Sequence, residues 1–228
     1  MSIAPTDHLT IFYDHVRSPI RVDEFLRRYN AVFPYVREAG LTVDYRLGRG
    51  RLKRLRDEIT PAARFARHCA VPDDEIQFPL NDGPFDCHLR RVRPAGKLTI
   101  QITLIQAREN LNLMNELNAT GQGRGFIGLT DDRPTRDFLK AMSREREAYS
   151  TDQVRATVSH ALELCAENKR HSEADILIIE EATSMIKLPR ARWLEMQDEF
   201  AQPVRALRFS EIYLVGDSES EDICMRLK

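Results

Sequence analysis

The chain has 228 residues, 42% of them hydrophobic and 30% charged, with a mean hydropathy of -0.44 and a formal net charge of -1. That length suffices for one sizeable core or a domain with an extension, and no apolar run approaches the roughly 18 residues that a membrane span requires. The N-terminal MSIAPTDHLTIFYDH lacks the basic-then-apolar order of a secretory leader, and Cys69, Cys87, Cys165 and Cys224 include no CxxC pair, so a cytoplasmic protein with reduced thiols is expected.

The near-neutral total conceals an asymmetry. Residues 1 to 110 carry 18 Lys or Arg against 14 Asp or Glu, and the remainder carries 16 against 21. The total gives no support for tight nucleic-acid binding. Locally, Arg46, Arg49, Arg51, Lys53, Arg54 and Arg56 fall within eleven residues, and Arg64 and Arg67 continue the series. Such a cluster either neutralises phosphates or forms a solvated helix face balanced in space by acids elsewhere.

Val22, Phe25, Leu26, Tyr29, Val32, Phe33 and Val36 recur at helical spacing and predict an amphipathic helix, kinked or ended by Pro34, with Gly40 as the stop. Val43 to Leu47 reads as a short strand before the Gly48-Arg49-Gly50 bend. Thr60 followed by Pro61 has the form of a hydroxyl cap and a proline at the first helical position, so a second helix is expected to start there. Val71 to Pro84 is turn-rich and reads as loop.

Phe85 to Gln106 reads as two strands. Leu98, Ile100, Ile102 and Leu104 alternate with Thr99, Gln101 and Thr103, and before them Phe85, Cys87 and Leu89 alternate with Asp86, His88 and Arg90. If apolar residues meet apolar ones, facing residues have numbers with an odd sum, and two registers satisfy this. A sum of 187 sets Asp86 opposite Gln101 and leaves Arg91 to Gly96 as a loop, whereas a tight Ala95-Gly96 turn gives 191 and separates the pair by about 13 Å.

Glu109 to Leu117 reads as a short helix, followed by a loop containing Gly121, Gly123, Gly125 and Gly128. That loop lacks the Lys-Ser/Thr of a phosphate-binding P-loop. Asp131 and Asp132 suit a turn and helix cap better than a metal site. Ser150 and Gln153 form a capping-box pattern before a helix that runs to Arg170, and Ala174 to Ile179 is a continuous apolar strand of the kind covered on both faces. A helix over Arg190 to Phe200 carries the only Trp, Trp193, and strands follow at Ile212 to Val215 and Ile223 to Leu227.

Pro84-Phe85-Asp86, Gln101-Ile102-Thr103 and the helix-strand unit Gln153 to Ile179 together resemble the layout of the PD-(D/E)xK nuclease superfamily over about residues 60 to 226. The resemblance implies an α/β fold: a mixed central sheet with a strand meander flanked by helices, a restriction-endonuclease-like core. In that family an Asp and a Glu hold a divalent metal and a Lys two positions after the Glu stabilises charge. Here Asp86 matches in kind, Gln101 stands in place of the Glu, Thr103 in place of the Lys, and Phe85 interrupts the usual Pro-Asp pair.

Hydrolysis of a phosphodiester at a hard cation needs anionic oxygen ligands and a positive group near the developing charge. Asp86 is the expected metal ligand, Glu58 and Gln101 are weaker candidates, and Arg108 is the expected charge stabiliser. Arg49, Arg51, Lys53 and Arg54 are the expected nucleic-acid contacts. The expected organisation is an N-terminal helical extension over 1–50 and a nuclease-like domain over 51–228. It would associate with nucleic acid, with metal-dependent phosphodiester hydrolysis weak or absent and, if active, Mg²⁺ or Mn²⁺ as the metal. The competing reading is a non-catalytic scaffold that docks a protein partner through Trp193 and Phe200, although the helical spacing of these residues suits core packing better.

Overall fold

The computed structural model describes residues 7–81, 83–106, 151–182, 188–218 and 221–228. The chain divides into two compact units, Met1–Gln101 and Ile102–Lys228. Among the described residues seven strands, with parallel and antiparallel pairings both represented, are accompanied by helices in each unit, so the α/β class with a mixed sheet and an antiparallel meander stands.

The first unit opens with helix α1, His8–Val16, which the sequence reading had not anticipated. Its cap is Asp7, whose Oδ1 accepts the amides of Leu9 and Thr10 at 3.1 and 3.3 Å, and it buries Leu9, Phe12, Tyr13 and Val16. Strand β1, Ile20–Arg21, leads into α2, Val22–Glu38. Pro34 lies inside α2 rather than ending it. The proline ring is on the exposed side, and burial of Val32 and Val36 on either side of it outweighs one lost backbone bond.

The expected strand at 43–47 is instead a short helix, α3, Thr42–Arg46. Tyr45 is the reason: its ring meets Phe33 of α2 edge-on with centroids 5.4 Å apart, and its hydroxyl lies 3.0 Å from Thr60 Oγ1. Positive φ at Gly48 and Gly50 then turns the chain into α4, Leu52–Arg54, a π turn over Leu55–Ile59, and α5, Thr60–Cys69.

Thr60 has helical angles, φ -62° and ψ -49°, so it is not the cap that the Thr-Pro pair suggested. Pro61 offers no N–H to the preceding turn, and the wider π register absorbs that loss. Leu55 O accepts both the Thr60 amide and, at 2.8 Å, the Thr60 hydroxyl. Leu55, Ile59, Ala62, Ala63 and Phe65 are fully buried along this path.

Strand β2, Glu75–Gln77, occupies part of the expected 71–84 loop and pairs antiparallel with both β1 and β3, Cys87–Val92. Strand β4, Ala95–Gln106, pairs with β3 from Cys87↔Ile100 to Val92↔Ala95, which is the register of sum 187. The loop is shorter than that register suggested, because pairing continues to Val92 and only Arg93 and Pro94 turn, through a cis peptide. Asp74, 3% exposed, ties the end of this hairpin down: its Oδ1 accepts the Val92 amide at 2.8 Å and its Oδ2 the Val71 amide at 3.1 Å.

In the second unit α6, Thr151–Lys169, buries Val154, Val158, Ala161, Leu162 and Cys165. Strand β5, Ile176–Ala182, runs parallel to β6, Glu211–Asp217, which pairs antiparallel with β7, Asp222–Arg226. The late helix is split at Met196 into α7, Arg190–Glu195, and α8, Gln197–Val204. Trp193 and Phe200 are both 0% exposed, with ring centroids 6.2 Å apart. As side chains of the core, neither presents a docking anchor. The expected helix at 109–117, the glycine loop, Asp131, Asp132 and Ser150 lie outside the described residues.

Candidate functional site

The polar face of the β2–β3–β4 meander follows from the register. Gln77, His88 and Thr99 form one row across the three strands, and Glu75, Arg90 and Lys97 form the next. Arg90 donates to Glu75 Oε2 at 3.1 Å, and Gln77 Nε2 donates to Arg17 O at 2.8 Å. His88 Nδ1 is buried without a hydrogen-bond partner, and burial, followed by the charge of Lys97, holds the imidazole below its ordinary pKa. His88 is therefore a neutral ring between polar neighbours.

Asp86 stands immediately before β3, its amide donating to Ile100 O at 3.0 Å. Gln101 immediately follows Ile100 on β4, so the fixed register brings the backbones of Asp86 and Gln101 together at the same end of the hairpin. Gln101 Oε1 is buried and has no hydrogen-bond partner. An acceptor left in that state calls for an incoming donor or a cation.

Glu58 arrives from a different element, the π turn. Its half-buried carboxyl is pushed up to about 7, chiefly by burial, then by the negative charge of Asp86, with Asp57 acting in the same direction and Arg54 and Lys53 opposing. The thiol of Cys87, in the core beneath, is raised well above its ordinary value by burial first and then by Asp86 and Glu58. Asp86 thus acts on Glu58, and both carboxylates act on Cys87.

Of the expected site residues, Asp86 and Arg54 act electrostatically on Glu58 in opposite directions, and Gln101 adjoins Asp86 through the hairpin register. Thr103 is half-buried on β4 within the second unit. Arg108 lies outside the described residues. The basic run is divided in its commitments: Arg49 lies 3.9 Å from Asp44, Arg51 pairs with Asp7 at 2.5 Å and with Thr10 at 2.8 Å, and Arg56 binds Asp57 and the carbonyl of Arg46.

Among the described residues no cluster of three or more His, Cys, Asp or Glu could hold a metal ion. Two carboxylates with an orphaned amide oxygen do suit a hard cation that keeps several of its waters, as Mg²⁺ does. Asp86, Glu58 and Gln101 offer oxygen donors only, the chemistry of a hard cation and not of a thiolate or imidazole site.

Sequence reasoning missed Tyr13, Arg17 and Leu80. With Gly50, Arg51 and Arg54 these line a cavity of about 360 Å³ in the first unit. Nothing in a linear sequence marks Tyr13 or Leu80, the latter a non-glycine residue with a positive φ of 53°. No protein family, no curated protein and no solved structure matches this chain. Among the described residues no helix is long and apolar enough to cross a membrane.

Proposed function

We propose that this chain is a nucleic-acid-associated protein with a PD-(D/E)xK nuclease-like core, restriction-endonuclease-like in layout, whose metal-dependent phosphodiester hydrolysis is weak or lost. The observation that supports the reading is that Glu58, on the π turn, is raised by burial and then by the charge of Asp86 from the hairpin, with Arg54 opposing. Asp86 and Glu58 would hold Mg²⁺ or Mn²⁺, with the Gln101 side-chain oxygen as a neutral third donor. A cation there would supply Lewis-acid stabilisation of phosphate oxygens. Arg49, Arg51, Lys53 and Arg54 would contact the nucleic-acid backbone, and Arg108 would be the charge stabiliser.

This chain's own residues limit the chemistry. Gln101 contributes no charge, Thr103 contributes no cation, and Glu58 must lose its proton before it can bind a metal. Since its pKa stands at about 7, metal affinity should rise as pH passes from 6 to 8.

The test is Mn²⁺ titration together with cleavage of single-stranded and duplex DNA and RNA. Wild type should bind Mn²⁺ with that pH dependence, lose binding in Asp86→Ala and Glu58→Gln, and cleave weakly or not at all. Gln101→Glu with Thr103→Lys should strengthen binding in an Asp86-dependent way. Nucleic-acid affinity should fall with added salt and drop further when Arg51, Lys53 and Arg54 become Ala. Absence of Mn²⁺ binding in both wild type and the double variant, or no nucleic-acid binding at low salt, would overturn the reading.

A further inference from the structure

We propose that the cavity lined by Tyr13, Arg17, Gly50, Arg51, Arg54 and Leu80 binds a nucleotide through a terminal phosphate, as a free mononucleotide or as the phosphorylated end of a strand. At about 360 Å³ it has the size of a small-ligand site. Three of its six lining residues are arginines. The hydrogen bonds of Arg17 to Asp14 and of Arg51 to Asp7 and Thr10 all use a single terminal nitrogen, Nη1. Among the described contacts, Nε and Nη2 of Arg17 and of Arg51 remain to grip phosphate oxygens as a fork.

Arg54 joins the cavity to the carboxylates, since it acts electrostatically on both Tyr13 and Glu58. Leu80 and the Tyr13 ring supply an apolar wall suited to a base or sugar. At Gly50, φ is +52° and no atom lies within 4 Å of where a Cβ would stand, so the backbone there borders open space. A site of this volume takes one nucleotide, and three guanidinium groups favour the dianion of a phosphate monoester over the single charge of a diester. The strand-end form rests on the reading of the neighbouring carboxylates as a phosphodiester site; the free-nucleotide form does not.

The experiment is calorimetric titration of the full chain at low salt. Its ligands are 5′- and 3′-nucleoside monophosphates, the unphosphorylated nucleoside, inorganic phosphate, and oligonucleotides bearing a 5′-phosphate, a 3′-phosphate or hydroxyl ends. A monophosphate should bind at least about tenfold more tightly than its nucleoside, the effect of one charge-assisted hydrogen bond. Arg17→Gln and Arg54→Gln should each remove most of that advantage, whereas Arg27→Gln, on the exposed side of α2 and outside the cavity, should leave it intact. Arg17 is 58% exposed, so its variant keeps the test open if Arg54→Gln fails to fold.

Equal binding of nucleoside and monophosphate, or monophosphate affinity unchanged in the folded variants, overturns the proposal. Monophosphate binding without preference for phosphorylated strands retains the free-nucleotide site and removes the strand-end form. Binding by inorganic phosphate alone, with no gain from the nucleoside, also overturns it. Because these titrations contain no divalent metal, their failure is distinguishable from failure of the Mn²⁺ experiment.

Discussion

Tyr29 of α2 and Thr60 at the start of α5 are joined by a hydrogen bond of 3.2 Å between their hydroxyls. Thr60 gives its own proton to Leu55 O at 2.8 Å, so the Tyr45 hydroxyl, 3.0 Å away, must also donate to it. One side chain thereby holds three helices and the entrance to the π turn. Thr60→Val keeps the shape and removes all three bonds, and should lower the unfolding free energy by about 1–3 kcal/mol. Thr60→Ser should lose under about 1 kcal/mol. Urea unfolding of the three proteins checks this; a Val variant as stable as wild type would show that the network contributes nothing.

Glu58 predicts a pH dependence. Its folded pKa of about 7 lies above the ordinary 4.5, so between those values the folded state holds a proton that the unfolded state has released. The stabilisation is fully present below about pH 4.5 and is lost as pH rises through 7. Solvent reaching this half-buried carboxyl reduces the effect to on the order of 1–2 kcal/mol. Wild type should therefore lose stability relative to Glu58→Gln between pH 5 and 8 in denaturant titrations. A parallel pH response in the two proteins would refute the coupling.

Asp74 accepts two backbone amides from distant segments while almost wholly buried. Asp74→Ala leaves the Val71 and Val92 donors unsatisfied and should cost about 2–4 kcal/mol, with hydrogen exchange at Val92 accelerating first. Asp74→Asn retains one acceptor and should fall between Ala and wild type.

Trp193, the only tryptophan, is 0% exposed. Its fluorescence should be blue-shifted and resist quenching by iodide until the chain unfolds. Emission at the wavelength of free tryptophan in the native protein would reinstate it as a surface anchor.

The sequence was informative where a pattern repeats often enough to fix a phase. Alternation over Phe85 to Thr103 sufficed for the hairpin faces and narrowed its register to two choices, and seven apolar residues in α2 overrode one proline. Strands β1 and β2 have two and three residues, too few to display a period. Helix α3 depends on the contact of Tyr45 with Phe33, and the π turn on Pro61 standing inside a continuous helical path rather than at its beginning; neither is a local property. Within the candidate site Asp86 and Glu58 were legible as carboxylates in suggestive places. Arg54 was legible only as one of four expected nucleic-acid contacts, and Tyr13 and Leu80 not at all, because their grouping is made by packing and not by spacing.

Strand β5 buries every residue from Ile176 to Glu181. With both sides of the strand in apolar surroundings, hydrophobicity no longer distinguishes one alignment with β6 from an alignment displaced by a residue. The two consecutive acids can make that distinction. Glu180 sits beside Val215, and Glu181 lies where Gly216 leaves room, since a Cβ on Gly216 would approach Glu181 Cβ to 3.2 Å. Displacement would press Glu181 against a bulkier neighbour than Gly216 and shift both buried acids along the strand. The acids thus serve as an alignment key, and replacing them with leucine should yield a strand that is more apolar yet less certain of its partner.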